Sequence, residues 1–302
     1  MYSNIKSGEI PINDVYTALI GNSVINTEHF SKSKASDTEK SVLSVFKSRQ
    51  KTTLGKIKQE LTSSPEALNT MSDEVLDEFT YIISMLKDDQ VLLKNEIDTS
   101  DSVYQKWKDQ KISPKEYLNY CITQHWIDIS QLNVDEKYAD STEVYDALCK
   151  YILKNIKTDT EFSKIIYQYM ITRGEISPRQ LCLILFDQGV LDYDDATVNK
   201  LKNGSLSPRD FLMKKIYNIE ITPAQLALEP CIGSCVVTDE KTGEIRAMVS
   251  YPGYDSNKLA NGVDSEYFAS LQHDKSSPLL NYATQQKTAP LSLIHISEPT
   301  RL

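Results

Sequence analysis

The chain has 302 residues, with 33 Lys and Arg against 42 Asp and Glu, a formal net charge of −9. That balance argues against a nucleic-acid surface, which needs clustered positive charge to neutralise phosphates, and against a basic patch for an anionic membrane. With 40% hydrophobic and 25% charged residues it has the makeup of a soluble globular protein, long enough for one large or two modest domains.

The N-terminal stretch Met1 to Lys6 leads into no apolar run, so no signal peptide is expected there. A short helix is expected over Asp14 to Ile20, then an exposed loop over Ser31 to Ser36. Asp37 or Thr38 is placed to cap a helix whose apolar positions Val42, Phe46, Leu54, Ile57 and Leu61 are mostly three or four apart. Ser72 caps a second amphipathic helix with the stripe Leu76, Phe79, Ile83 and Leu86, and Thr99-Ser100-Asp101 reads as a turn and cap before Val103, Tyr104 and Trp107.

One helix-start device recurs four times, at Ser113-Pro114, Ser177-Pro178, Ser207-Pro208 and Thr222-Pro223. The hydroxyl accepts an orphan amide hydrogen, and proline at the first helical position loses no bond. Glu116, Gln180 and Gln225 stand where a capping box wants them. The intervals are unequal, so this is no solenoid repeat. Val144, Leu148, Tyr151 and Ile152 form one further stripe, and Phe162, Ile165, Ile166 and Tyr169 another. From about residue 37 to 228 the pattern predicts eight to ten helices, with the tyrosines, Trp107 and Trp126 as packing material. The longest apolar run, Leu181 to Phe186, is far too short to span a bilayer.

After the helices, Gly233 to Thr238 and Ile245 to Ser250 flank a polar connection ending in Thr242-Gly243, the pattern of a β-hairpin. Ile245, Ala247 and Val249 alternate with Arg246, Met248 and Ser250, so one face is expected to be buried and the other partly covered. Tyr251-Pro252-Gly253 stops the second strand. The run Gly233-Ser-Cys-Val-Val-Thr-Asp, Thr242-Gly-Glu-Ile-Arg-Ala-Met-Val-Ser-Tyr-Pro-Gly-Tyr-Asp255, continued by Asn257 to Asn261, Pro278 to Gln286 and Thr288-Ala289-Pro290, resembles the opening of the transpeptidase domain of penicillin-binding proteins. The resemblance covers roughly Ile221 to Pro290 and is closest to the class B, monofunctional enzymes of Gram-positive bacteria. It implies a mainly α chain: a multi-helix insertion subdomain over residues 1–228, then residues 229–290 as the incomplete start of an α/β transpeptidase domain.

The resemblance further implies a parent enzyme that acylates a serine with a D-Ala-D-Ala stem peptide, passes it to a neighbouring stem's amine to cross-link peptidoglycan, and is blocked by β-lactams. Its place would be the extracytoplasmic face of the cell membrane. The membrane anchor and pedestal domain of that class are missing, which implies that Met1 is an internal start. The family's next residues are Gly-Ser-x-x-Lys, whereas here Leu291 to Leu302 follows, which looks like a translated sequencing adapter; a natural frayed tail is the alternative. Ser292 falls at the nucleophile's place, but the residue three on is His295, not lysine, so the role is not carried over. No catalytic, cofactor-binding or metal residue is assigned, and the chain itself is expected to be inactive.

Other motifs read as ordinary structure. Lys241-Thr242-Gly243 spells the family's third motif yet precedes the place of the first and lies in the hairpin connection; Ser-x-Asn does not occur. Ser-x-x-Lys recurs at Ser3/Lys6, Ser31/Lys34, Ser44/Lys47, Ser48/Lys51 and Ser84/Lys87, where Asp88 and Asp89 are expected to hold Lys87 charged. Cys121, Cys149 and Cys182 sit in apolar helical company; Cys231 and Cys235 suit burial, a pair or half a metal site. His29, His125, His273 and His295 are isolated, Asp192, Asp194 and Asp195 read as an exposed turn, and no metal site or cofactor is expected. A second reading takes the helical block as an interaction module for other cell-wall synthesis proteins.

Overall fold

The computed structural model describes residues 1–63, 66–132, 134, 140–228, 232–260, 267–268, 271–272 and 276–285. It divides into two compact units, Tyr2–Leu226 and Ala227–Leu302 with Met1. The first holds twelve α-helices among the described residues: α1 (Tyr2–Ser7), α2 (Ile12–Gly21), α3 (Asp37–Thr62), α4 (Asp73–Asp88), α5 (Ser102–Lys108), α6 (Pro114–Thr123), α7 (Ser141–Ile156), α8 (Thr160–Thr172), α9 (Pro178–Asp187), α10 (Asp195–Asn203), α11 (Pro208–Tyr217) and α12 (Pro223–Leu226). Ten of them lie between Asp37 and Leu226, and the chain is mainly α as its periodicity implies. Among the described residues no helix is long and apolar enough to cross a membrane.

Local chemistry sets the helix starts. All four hydroxyl–proline pairs cap as anticipated: the side-chain oxygens of Ser113, Ser177, Ser207 and Thr222 accept the backbone N–H of Glu116, Gln180, Asp210 and Gln225. At Ser177 and Thr222 the glutamine reaches back to the cap's own N–H, at 2.9 and 2.8 Å, closing both halves of the box. The long helix α3 starts one residue earlier than its sequence suggests. Ser36, read as part of the exposed loop, is the cap; its Oγ accepts from Glu39 N–H and Glu39 Oε2 accepts from Ser36 N–H at 2.7 Å. Asp37 instead sits in the first turn, where a carboxylate meets the positive end of the helix dipole. The α10 helix ends on Gly204 at φ +80°, a left-handed cap that costs glycine little.

Helix α8 lies at the centre, packed on α2, α3 and α4. Its Tyr167 stacks on Phe46 of α3 with ring centroids 4.2 Å apart and meets Phe30 edge-on at 6.0 Å. The aromatic set is core material elsewhere too, with Trp107 stacked on Tyr117 at 4.4 Å. Val42, Phe46, Ile57 and Leu61 are buried as the α3 stripe predicts, but Leu54 is only half-buried.

Buried charge ties the helices together. Arg49 of α3 places Nη2 at 2.8 and 2.9 Å from the two carboxylate oxygens of Glu74 in α4, while Arg173, the C-cap of α8, reaches Glu74 Oε2 at 2.6 Å. Arg49 Nη1 also faces Glu175 at 3.5 Å. Two guanidinium groups thus balance two carboxylates. Glu78, one turn along α4 and 2% exposed, is a third acid at this junction. Desolvation, then the Glu74 charge, pushes its carboxyl up to about 8, with Asp77 adding and Lys56 and Arg49 opposing. A second buried acid, Glu39, behaves oppositely. Burial would raise it, but hydrogen bonds from Gln188, Ser36 and His29 together hold it below the ordinary carboxylate range.

Two outcomes follow from these contacts. Because the folded Glu78 pKa lies above the ordinary 4.5, its favourable contribution is complete below that value and is lost as pH rises through about 8. Glu78→Gln should therefore leave the melting temperature unchanged at pH 5 and raise it at pH 9, by an amount on the order of 2–4 kcal/mol in stability; equal melting shifts at both pH values would contradict the assignment. Ser177→Ala removes a complete capping box and should cost about 1 kcal/mol, lowering the melting temperature by roughly 2–4 °C.

Candidate functional site

The second unit is built on a hairpin of β1 (Gly233–Thr238) and β2 (Ile245–Tyr251), antiparallel, with Gly233 opposite Tyr251 and Val237 opposite Ala247. Thr238 pairs with Ile245, so Arg246 is an extra residue on β2, a bulge that turns its side chain back over the connection. Its Nη2 lies 3.0 Å from Asp239 Oδ2 and 3.1 Å from Glu244 Oε2. Asp239 also accepts the N–H groups of Lys241 and Thr242 at 2.9 and 3.0 Å. The Thr242 amide, then Arg246, then the Lys241 amide hold its carboxyl below the usual range. Gly243 completes the turn at φ +73°, its N–H on the Asp239 carbonyl at 2.9 Å. Lys241-Thr242-Gly243 is thus a turn around one carboxylate.

The expected buried face of the hairpin is not there. Ile245 is 57% exposed and Val249 56%, and on the other side of β2 Met248 is 40% exposed. Alternation tells which residues share a face, but burial needs a second layer, and a two-stranded ribbon supplies none by itself. What packs on both strands is a short helix, α13 (Tyr282–Gln285). Ser250 anchors it: Tyr282 N–H donates to Ser250 Oγ at 2.9 Å, and that hydroxyl donates to the Leu280 carbonyl at 3.3 Å. The Tyr282 ring is buried, with its hydroxyl on the Ser276 carbonyl at 2.5 Å. Nearby, Lys258 Nζ stands 4.6 Å from the Tyr267 ring centroid, and the Tyr267 oxygen accepts from Asp255 N–H. The hairpin end therefore holds the segment that leads into Thr288-Ala289-Pro290, Ser292 and His295, all of which lie outside the described residues.

Elsewhere the motifs fall on helix surfaces or cores. Ser84 and Lys87 line a cavity of about 300 Å³ between α4 and the Trp107 region, but no hydrogen bond joins them among the described residues. Asp88 favours the charged form of Lys87 as expected, but it is not the largest influence. Desolvation, then Lys94, lowers its pKa, and Cys121 and Asp88 oppose without prevailing. Cys121, Cys149 and Cys182 are buried free thiols, pushed up by burial to about 12, 11 and 12. Cys235 is free and exposed; Cys231 and His273 lie outside the described residues. His29 Nδ1 hydrogen-bonds Glu39 Oε1 at 2.7 Å, a contact that no sequence signal announced. Asp194 caps α10 through Ala196 and Thr197 N–H. Among the described residues no group of three or more His, Cys, Asp and Glu is placed to hold a metal ion.

Residues 233–296 match the family model for the penicillin binding protein transpeptidase domain, so all twelve helices of the first unit lie outside the match. The chain is 42% identical over 59 residues to the peptidoglycan D,D-transpeptidase MrdA of Escherichia coli, which is 20% of this chain and 9% of that protein. It is 40% identical over 62 residues to MrdA of Haemophilus influenzae, 20% of this chain and 10% of that protein. It is 40% identical over 70 residues to the peptidoglycan D,D-transpeptidase PbpA of Mycolicibacterium smegmatis, 22% of this chain and 14% of that protein. The chain thus spans about a tenth of the length of the curated relatives it matches, and those relatives do not single out the Gram-positive kinship suggested by the motifs. No solved structure matches it. With the hairpin, its Ser250-anchored helix and these matches in one stretch, residues 233–296 are similar to part of a penicillin binding protein transpeptidase domain, of the kind found in class B peptidoglycan D,D-transpeptidases.

Proposed function

We propose that this chain is part of a transpeptidase that cross-links peptidoglycan at the outer face of the cell membrane. In the reaction a serine oxygen attacks the carbonyl between the two terminal D-alanines of a stem peptide, and the last D-alanine leaves with a proton. The amine of a neighbouring stem then attacks the serine ester, forming the cross-link and freeing the serine. A β-lactam would enter the same acylation and stay on the enzyme. The observation that carries the reading is the continuous match over residues 233–296.

Under this reading residues 1–228 are an insertion subdomain, residues 229–290 the start of the transpeptidase domain, and residues 291–302 foreign to it. The family match runs to residue 296, across that last boundary. The chain as it stands holds no assigned nucleophile. Position 295 supplies an imidazole where the serine's proton would need a lysine amine one helical turn away.

The test combines gene and protein. Reading the source gene through codon 290 should return Gly-Ser-x-x-Lys, and the protein carrying that continuation should bind a fluorescent penicillin covalently. The present 302-residue chain should not be labelled. Labelling of the present chain would overturn the inactive assignment, and failure of the continued protein to be labelled would overturn the transpeptidase reading.

A further inference from the structure

The helical unit contains a groove of about 500 Å³ between α3 and the end of α7, and its chemistry differs from that of the chain as a whole. Helix periodicity makes it. The buried stripe of α3 runs through Val42, Phe46, Ile57 and Leu61; the adjoining sector carries Lys47, Lys51, Leu54 and Lys58. The opposite wall is Leu153 of α7 and Lys157, its C-cap. Gln50 Nε2 donates to the Lys157 carbonyl at 3.0 Å and so fixes the two walls together. This is why Leu54 is only half-buried: it faces the groove rather than the core.

Four lysines line the groove and no carboxylate does, in a chain with a net charge of −9. All four are exposed, and none of their ammonium groups has an ion-pair partner among the described residues. Lys164 and Lys215, by contrast, are each paired with a nearby glutamate. Like charges held together without counter-charges repel one another, so an occupant of opposite sign relieves them.

A second observation comes from Gly55, in the middle of α3 and on the groove's lining. A Cβ there would meet nothing within 4 Å. Glycine inside a helix is less favourable than alanine, and no packing within the chain requires it here. What it does is leave bare backbone between Lys51 and Lys58.

Lys47 and Lys51 are four residues apart and Lys51 and Lys58 seven, a row of about 16 Å along the helix. Such a row fits a linear polyanion rather than one small anion. Lysine acts as a point charge suited to phosphate oxygens, whereas planar carboxylate pairing favours arginine, as Arg49 shows on Glu74. The lining contains no aromatic side chain, so it offers no platform on which nucleic-acid bases would stack. Leu54 and Leu153 are the large apolar side chains of its lining, too few for the broad apolar face that enters a membrane.

We propose that this groove binds a linear polyol-phosphate polymer, with its phosphodiester charges on Lys47, Lys51, Lys58 and Lys157 and its uncharged spacers over Gly55, Leu54 and Leu153. The proposal rests on the helical unit alone and does not depend on the transpeptidase reading.

The test is fluorescence polarisation of the full chain with labelled poly(glycerol phosphate), at two salt concentrations. The wild type should bind, with affinity falling as salt rises by a slope of roughly three to four released counterions. The variant Lys47→Gln/Lys51→Gln/Lys58→Gln/Lys157→Gln should bind roughly 30-fold more weakly or worse, while Lys200→Gln/Lys202→Gln on α10 should leave binding unchanged. Gly55→Leu should weaken binding about tenfold without lowering the melting temperature, since leucine favours the helix more than glycine does. Binding unaffected by the quadruple change or by Gly55→Leu would overturn the site. Equal binding of a single-stranded oligonucleotide, or of vesicles of anionic phospholipid, would overturn the polyol-phosphate assignment.

Discussion

The helical unit depends on one buried charge junction. Glu74, at the start of α4, accepts from Arg49 of α3 and from Arg173 at the end of α8, so a single carboxylate joins three helices. A buried ion pair of this kind adds little net stability compared with an apolar replacement, yet losing one partner strands a charge and costs about 3–5 kcal/mol. The junction therefore sets which helices meet and in what order more than how tightly they hold. Stacking of Phe46 on Tyr167, one helical turn from Arg49, supplies the apolar attraction along the same α3–α8 contact. Glu78 follows from the same arithmetic: with two cations already matched by Glu74 and Glu175, a third buried acid takes a proton.

Helix starts were legible from sequence because each depends on residues within four positions. Ser113, Ser177, Ser207 and Thr222 cap as their neighbours dictate. The α3 start slipped by one residue because Ser36, Asp37 and Thr38 are all competent caps, and the choice falls to Glu39, whose carboxylate also serves His29 and Gln188. Gln188 is 149 residues away in sequence. Nothing local distinguishes a glutamate with such partners from one in solvent, so Glu39, Glu74 and Glu78 could not be placed in the core beforehand. Lys87 shows the mirror case: Asp88 beside it favours its charge, while desolvation and Lys94, which its sequence neighbours do not announce, oppose it.

The hairpin divides in the same way. Its strands, its stop at Tyr251 and its turn are local properties, and Asp239 gathers the connection with bonds that span at most seven residues. The burial of its faces is not local: apart from the packing of α13 both stay largely exposed, where alternation implied one buried face and one partly covered. Ser250 lay between the two kinds of information. Its place on the face opposite Val249 was readable from the two-residue period, but its bonds to Leu280 and Tyr282 cross 30 and 32 residues. The family resemblance was legible in this unit through the order of its residues, and the geometry adds how the strand end grips the segment beyond.

Net charge describes the chain as a whole and not the distribution of charge within the first unit. Averaged over the chain, acids exceed bases, which argues against a nucleic-acid surface and a basic membrane patch. Charge acts locally, however, because screening at physiological salt confines it to about 8 Å. Helix α3 sorts its basic residues by angle: Arg49 turns toward the core and is matched there by carboxylates, whereas Lys47, Lys51 and Lys58 share an outer sector where no acid lines the groove. Two residues apart in sequence, Lys47 and Arg49 thus serve opposite ends, one free to meet an outside charge and the other committed within. The 3.6-residue period, not the composition, decides which basic residue does which.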